Sequence, residues 1–316
     1  MTVLQSLILG ILQGIAEFLP ISSSGHLAVC QHFFGLEDTP LLYDVMLHIA
    51  TLFAVCIYFR KKIARLFCVL FRWIFRRPEP ENFENPEDLL SGNDQTGRKT
   101  IIAVIITTAV TGVIGVLTSK LIPELPLKVT AAGFIITACF LIFSSLIEKK
   151  REKALLSASA SGSSEGSAEE KSEKGQSADS KTAPASKKTA FTWKQALVIG
   201  LMQGVGTLPG ISRSGSTIAG AQFAKVRRDV AGEYSFIVSI PAILGAFVLT
   251  LKDYLEIRGQ EGVAQIGILP LIAGCLSAFV FGYAALTLLM KIIKKGKLEW
   301  FACYLIPLGI CGLIFF

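Results

Sequence analysis

Apolar residues along this 316-residue chain fall in blocks, and six blocks are long enough to cross a bilayer, which takes about 20 helical residues. They lie at roughly 41–59, 100–120, 129–147, 233–251, 266–290 and 298–316. Two further regions, about 3–35 and 193–225, break the pattern: each has an apolar piece, then Pro, Gly and Ser, then a second short apolar piece. Neither piece can cross alone. Irregular backbone at membrane depth is tolerated only where protein or a cavity shields it, so each region predicts a helical hairpin that enters the membrane and turns back.

These two regions are copies of one another. At an offset of 190 residues, Gln5, Leu7, Gly10, Gln13, Gly14, Ile21, Ser22, Ser24 and Gly25 meet identical residues, nine identities in the 21 positions from 5 to 25. Shared apolar composition does not produce that. The chain therefore reads as an all-α polytopic membrane protein of two repeats, 1–147 and 193–316, each a re-entrant hairpin plus three transmembrane helices. The odd span count inverts the second repeat relative to the first.

Charge placement orients this arrangement. The loops at 60–99, 148–194, 224–232 and 291–297 hold 26 of the 31 Lys and Arg residues, and the opposite loops hold only Lys120, Lys128, Lys252 and Arg258. The basic side is predicted to be cytoplasmic, with both termini at the outer side. The net charge of +7 is thus a topology signal rather than a nucleic-acid footprint, since no DNA- or RNA-binding motif surrounds the basic clusters. With 52% hydrophobic residues the chain is also too apolar for a soluble module. No Lys or Arg precedes the first apolar run, so that run is expected to belong to the mature fold. The seven cysteines stand singly in apolar surroundings and read as small hydrophobes. Residues 148–192 join the repeats; their Ser-, Ala-, Lys- and Glu-rich stretch 152–190 predicts a disordered cytoplasmic linker. Residues 76–97 predict a polar loop.

Polar residues inside the hairpins carry the candidate chemistry. Gln13 and Glu17, four apart, share one helix face, where the carboxylate could cap a helix, act as a base, or join the Gln13 carbonyl in holding Mg²⁺ or Ca²⁺. Ser22, Ser23, Ser24 and Gly25 follow Pro20, so the backbone must leave the helix and restart, offering hydroxyls and amide N–H groups as an anion cradle. Serines alone would equally suit close helix packing. His26 beside them can serve as nucleophile, acid or base. In the second hairpin, Arg213 lies among Ser212, Ser214, Gly215, Ser216 and Thr217. Its planar fork suits a phosphate, and the competing reading is a salt bridge to Glu17. Asp44 is a supporting residue, His32 reads as interfacial, His48 as a mid-span hydrogen-bonding group, and Asp229 and Glu233 as helix-start acids.

Together the stretches from Gln13 to His26 and from Pro209 to Thr217 resemble the two signatures of the undecaprenyl pyrophosphate phosphatase, or bacitracin-resistance, family. The resemblance covers both halves and the order of spans, but not the Ser-rich linker. It implies removal of one phosphate from a C55 isoprenyl pyrophosphate to regenerate the lipid carrier of envelope synthesis. It assigns Glu17 and Gln13 to a metal-dependent acidic motif, His26 and Ser23 to the chemical step and Arg213 to the phosphate. Gln13 stands where other members carry Glu, which removes one anionic ligand. The resemblance further suggests a homodimer in the bacterial plasma (inner) membrane with a site open to the outer face. A polyprenyl-phosphate transporter or flippase is the alternative, because inverted repeats with broken helices also build carriers. Against it, Glu17 and His26 occur only in the first copy and Arg213 only in the second, which suits one reaction centre.

Overall fold

The computed structural model describes residues 1–36, 41–80, 85, 88–121, 126–161, 191–257 and 267–316, and among them it holds eleven α-helices and no strand. The first half runs α1 (Val3–Phe18), α2 (Ser23–Phe33), α3 (Leu41–Tyr58), α4 (Arg60–Ile74), α5 (Asp94–Leu121) and α6 (Leu127–Ser161). The second runs α7 (Trp193–Val205), α8 (Arg213–Phe223), α9 (Arg228–Ile257), α10 (Ile268–Lys295) and α11 (Trp300–Phe315). Among the described residues α5, α6, α9 and α10 are each long and apolar enough to cross a membrane. α3 and α4 pass the same test only as a pair, bent by 80° where they meet, and α11 is a shorter apolar helix of 16 residues. The chain is an all-α, multi-pass membrane protein.

The sequence repeat is a structural repeat down to its caps. Thr2 starts α1 in a reciprocal capping box with Gln5, and Thr192 starts α7 in the same way with Gln195. Ser22 and Ser212 cap α2 and α8, each side-chain oxygen accepting a backbone N–H, from Gly25 at 3.4 Å and from Gly215 at 3.1 Å. The paired hydroxyls that look like one motif are therefore partly helix-start chemistry.

Each hairpin docks on the other half. α1 packs along α10, and α7 along α5. Close approach is permitted by Gly10 and Gly14 against Gly274, Ala278 and Gly282, and by Gly200 and Gly204 against Thr107, Val110 and Ile114. Small residues four apart let backbones meet in lipid, where packing and interhelical hydrogen bonds replace the hydrophobic drive. Those bonds are present in both copies: Ser277 donates to the Leu7 carbonyl at 3.3 Å, and Thr107 and Thr111 donate to the Ala196 and Gly200 carbonyls at 3.0 and 3.2 Å. The fully buried Tyr43 of α3 bonds Ser6 at 2.7 Å, and the fully buried Tyr234 of α9 bonds Thr107 at 2.9 Å. A side chain at Gly14 would meet the Ala278 carbonyl oxygen at 2.6 Å and the Gly282 nitrogen at 2.7 Å. Gly14→Leu is accordingly expected to destabilise the protein by ~3 kcal/mol, the upper range for overpacking. Thermal unfolding in detergent checks this, and a variant as stable as the parent would refute the tight α1–α10 seam.

Three expectations from the sequence need correction. The stretch 60–99 is not all loop: residues Arg60–Ile74 form α4, bent by 80° from the axis of α3. The linker predicted over 152–190 begins later, because α6 continues through Ser161. Residues 162–190 lie outside the described residues. Glu233, read as a helix-start acid, instead pairs with Lys62 of α4, while Asp229 sits in the first turn of α9 and takes Arg227 at 2.7 Å.

Candidate active site

Both hairpin turns meet at a cavity of about 240 Å³ whose walls include Glu17, Ser23, Ser24, His48, Ser212 and Arg213. Glu17 lies in the last turn of α1, Ser23 opens α2, and Arg213 opens α8, so the first turns of two helices line one space. Ser22 makes the first turn possible by taking a positive φ of 71°. A non-glycine residue held there costs of order 1–3 kcal/mol and clusters at functional sites. At the matching turn Gly210 takes φ 80° and lies against the Thr130 backbone, with no space for a side chain.

Glu17 is buried, and its oxygens are fully engaged. One oxygen pairs with the Arg213 guanidinium. The other accepts the Ser23 hydroxyl at 2.6 Å and the Gln13 side-chain amide at 3.1 Å, and faces His48 Nε2 at 3.4 Å. The ion pair weighed as an alternative for Arg213 thus exists, and it lies on the wall of the cavity rather than outside it. His48 Nδ1 donates to the Asp44 carbonyl at 2.7 Å, so its Nε2 can donate to Glu17 only as the imidazolium. Asp44 in turn takes the Gln31 amide at 2.8 Å.

The other candidates divide. Ser24 is exposed toward the cavity, and its hydroxyl lies 3.4 Å from that of Ser22. Ser214 and Thr217 face a narrower recess behind the ion pair, with Thr51, Ser235 and Ser239. Thr217 donates to the Arg213 carbonyl at 2.6 Å. Gly25 packs against Phe134 and Gly210 and is a close-approach residue. His26 is not on the cavity wall. Its Nδ1 donates to the Ser22 carbonyl at 2.7 Å, its Nε2 accepts from Tyr304 at 2.8 Å, and its ring stacks on that tyrosine of α11. His48 and Tyr304 are the residues the motifs did not reveal. An ionisable residue in mid-span was the one signal for His48; nothing in the sequence ties Tyr304 to the hairpin.

The donor set bears directly on a metal. Among the described residues no three His, Cys, Asp or Glu side chains gather as a cation site. Glu17 is already neutralised by Arg213, and beside it Gln13 Oε1 is a buried acceptor without a partner. One neutral oxygen does not make a cage for a hard cation, which takes six or more oxygen ligands.

A site of this kind joins a carboxylate-bonded serine, an arginine fork and two helix N-termini between membrane hairpins. Residues 6–311 match the family described as Bacitracin resistance protein BacA. The chain belongs to this family. It is similar, at 43% identity over 316 residues, covering 100% of this chain and 98% of the relative, to a Treponema denticola protein named undecaprenyl-diphosphatase. Proteins of the same name from Carboxydothermus hydrogenoformans and Desulfosudis oleivorans are 33% and 34% identical, over 98% and 97% of this chain and 96% of each relative.

Proposed function

We propose that this protein is a membrane phosphatase that converts undecaprenyl pyrophosphate to undecaprenyl phosphate and inorganic phosphate. The observation that carries the reading is the 2.6 Å bond from Ser23 to the buried Glu17 carboxylate, in a cavity shared with Arg213. Glu17 takes the hydroxyl proton as Ser23 Oγ attacks the terminal phosphorus. The Oγ–P bond forms, the bridging P–O bond breaks, and undecaprenyl phosphate leaves with the electron pair. Water then hydrolyses the phosphoserine and releases phosphate. Arg213 has one guanidinium nitrogen on Glu17 and lines the cavity, so its remaining nitrogens can hold two phosphate oxygens and the charge that grows on them. The amide groups at the starts of α2 and α8, with Ser24, complete the cradle. In this reading His26 is a positioning residue: its ring fixes the Ser22 carbonyl and so the turn that presents Ser23.

A divalent cation enters as part of the substrate, bound to pyrophosphate oxygens, because Glu17 and Gln13 leave too few free donors to hold one alone. Purified protein in detergent should release phosphate from a prenyl pyrophosphate with Mg²⁺ or Ca²⁺ present, and a chelator should stop it. Calorimetry of the substrate-free protein should detect no tight site for either cation. Folded protein that releases no phosphate under any metal condition would overturn the enzyme reading. A tight cation site without substrate would overturn only the view of the metal.

The basic side faces the cytoplasm in this reading, and the site opens toward the outer face of the plasma membrane. The cavity supports this, because its α3 and α9 walls, Val45, His48, Ile243 and Ala246, lie in the halves of those helices away from the basic loops. Ser172→Cys should be shielded from an impermeant thiol reagent in intact cells; labelling there would reverse the orientation.

A further inference from the structure

Helix α4 has two unlike faces. Along it, Phe67, Phe71, Ile74 and Phe75, spaced by four, three and one, are exposed at 66%, 49%, 64% and 59%, forming one apolar stripe that no described element covers. The opposite face is pinned to the protein. Val69 is fully buried under Gly97 of α5, Arg72 forks onto Asp94 with Nε 3.1 Å from both carboxylate oxygens, and Lys62 pairs with Glu233 and, at 3.2 Å, with Asp88. The stripe therefore points away from the packed helices by construction, not through fraying. α4 departs from the axis of α3 by 80°, so wherever α3 crosses the bilayer α4 must run close to its surface plane.

We propose that α4 is an interfacial helix seated in the cytoplasmic leaflet, with its aromatic stripe among the acyl chains and anionic lipid headgroups at its ends. Charge complementarity selects the anionic headgroup: residues 60–77 carry seven basic side chains and no acid, and Arg60 and Lys61 at one end and Arg76 and Arg77 at the other are exposed. A helix with a basic face and an aromatic face lies in the interface, held by apolar burial and by attraction to anionic lipid. The segment after the helix continues the fit. Arg77 stands 5.6 Å over the Phe71 ring, and a shallow groove of about 730 Å³ runs between Phe67, Phe71, Ile74 and Pro78 with Arg77 at its rim. Those walls suit an acyl chain, and that rim suits its phosphate. Through Lys62–Glu233 the helix is tied to α9, whose Ile243 lines the cavity.

The test uses the full chain in vesicles of mixed phosphatidylglycerol and phosphatidylcholine, with single cysteines at Phe67, Phe71 and Lys61 on a cysteine-depleted background carrying a polarity-sensitive fluorophore. Probes at 67 and 71 should be quenched by lipid bearing a shallow spin label, and by aqueous iodide at least about fivefold less than the probe at 61. Replacing phosphatidylglycerol by phosphatidylcholine should raise iodide access at 67 and 71. Should the depleted background fail to fold, hydrogen exchange of the unaltered protein gives the same reading, with slower exchange over 63–76 in the anionic vesicles. Equal iodide access at all three positions, or exchange indifferent to lipid charge, would overturn the proposal. So would cross-linking between two copies through Phe71→Cys, which would make the stripe a subunit contact.

Discussion

Ser23→Ala should lower phosphate release by about 10³-fold or more while leaving the protein folded, because it removes the one hydroxyl bonded to the buried Glu17 carboxylate. Ser22 and Ser24 cannot replace it: the Ser22 oxygen is committed to the Gly25 amide, and Ser24 reaches no carboxylate within hydrogen-bond distance. The loss should fall on kcat, since the carboxylate, the arginine and both helix N-termini remain to bind the pyrophosphate. His26→Asn is the paired measurement. Asparagine places an amide nitrogen where Nδ1 stands and can still donate to the Ser22 carbonyl, but it has nothing at Nε2. If His26 positions the turn, this variant keeps activity within about tenfold of the parent, and His26→Ala loses more. A His26→Asn variant as damaged as Ser23→Ala would put the imidazole in the chemistry. Ser23→Ala with more than about a tenth of parental turnover would remove the serine from it. Rapid acid quench of the unaltered protein with labelled substrate adds an independent reading, because a serine nucleophile must leave label on the chain.

Much of this was legible because the two hairpins are written in residues whose roles are backbone roles. Gly10, Gly14, Gly200 and Gly204 mark seams where no side chain fits, and Ser22 and Ser212 mark helix starts, so identity at a fixed offset carried geometry as well as ancestry. Helix α4 escaped notice for the opposite reason. Its basic residues recur every few positions and dilute the hydropathy of the window, although Phe67, Phe71, Ile74 and Phe75 keep helical spacing. The extension of α6 was hidden similarly. Residues 152–161 are polar and small, yet Glu, Lys, Ala and Leu there favour a helix that is already nucleated. At the site, the family resemblance gave His26 and Ser23 one shared assignment, whereas in the structure the His26 ring turns back to its own helix start and to α11. His48 is 31 positions from Glu17 in the chain and meets it only because α3 packs beside α1. No local pattern encodes that meeting.

Arg213→Lys is expected to reduce kcat by about 10²-fold or more although the positive charge is kept, the scale seen when one preorganised transition-state donor is lost. The guanidinium stands at the first position of α8 and bonds Glu17, with Ser212 capping the helix beneath it. From there it can keep one nitrogen on the carboxylate and turn others to the phosphate. A lysine ammonium is a point charge on a flexible stem that reaches less far, and holding Glu17 leaves it no planar pair of donors for two phosphate oxygens. The carboxylate would stay neutralised and stability should change little, so the loss separates phosphate recognition from charge balance. Two outcomes would reduce Arg213 to the counter-ion of a buried carboxylate. The first is Arg213→Lys with near-parental turnover. The second is a Glu17→Gln/Arg213→Gln double variant that binds prenyl pyrophosphate no more weakly than Glu17→Gln alone. If the arginine contacts the substrate, removing it must cost binding even after its carboxylate partner has been neutralised.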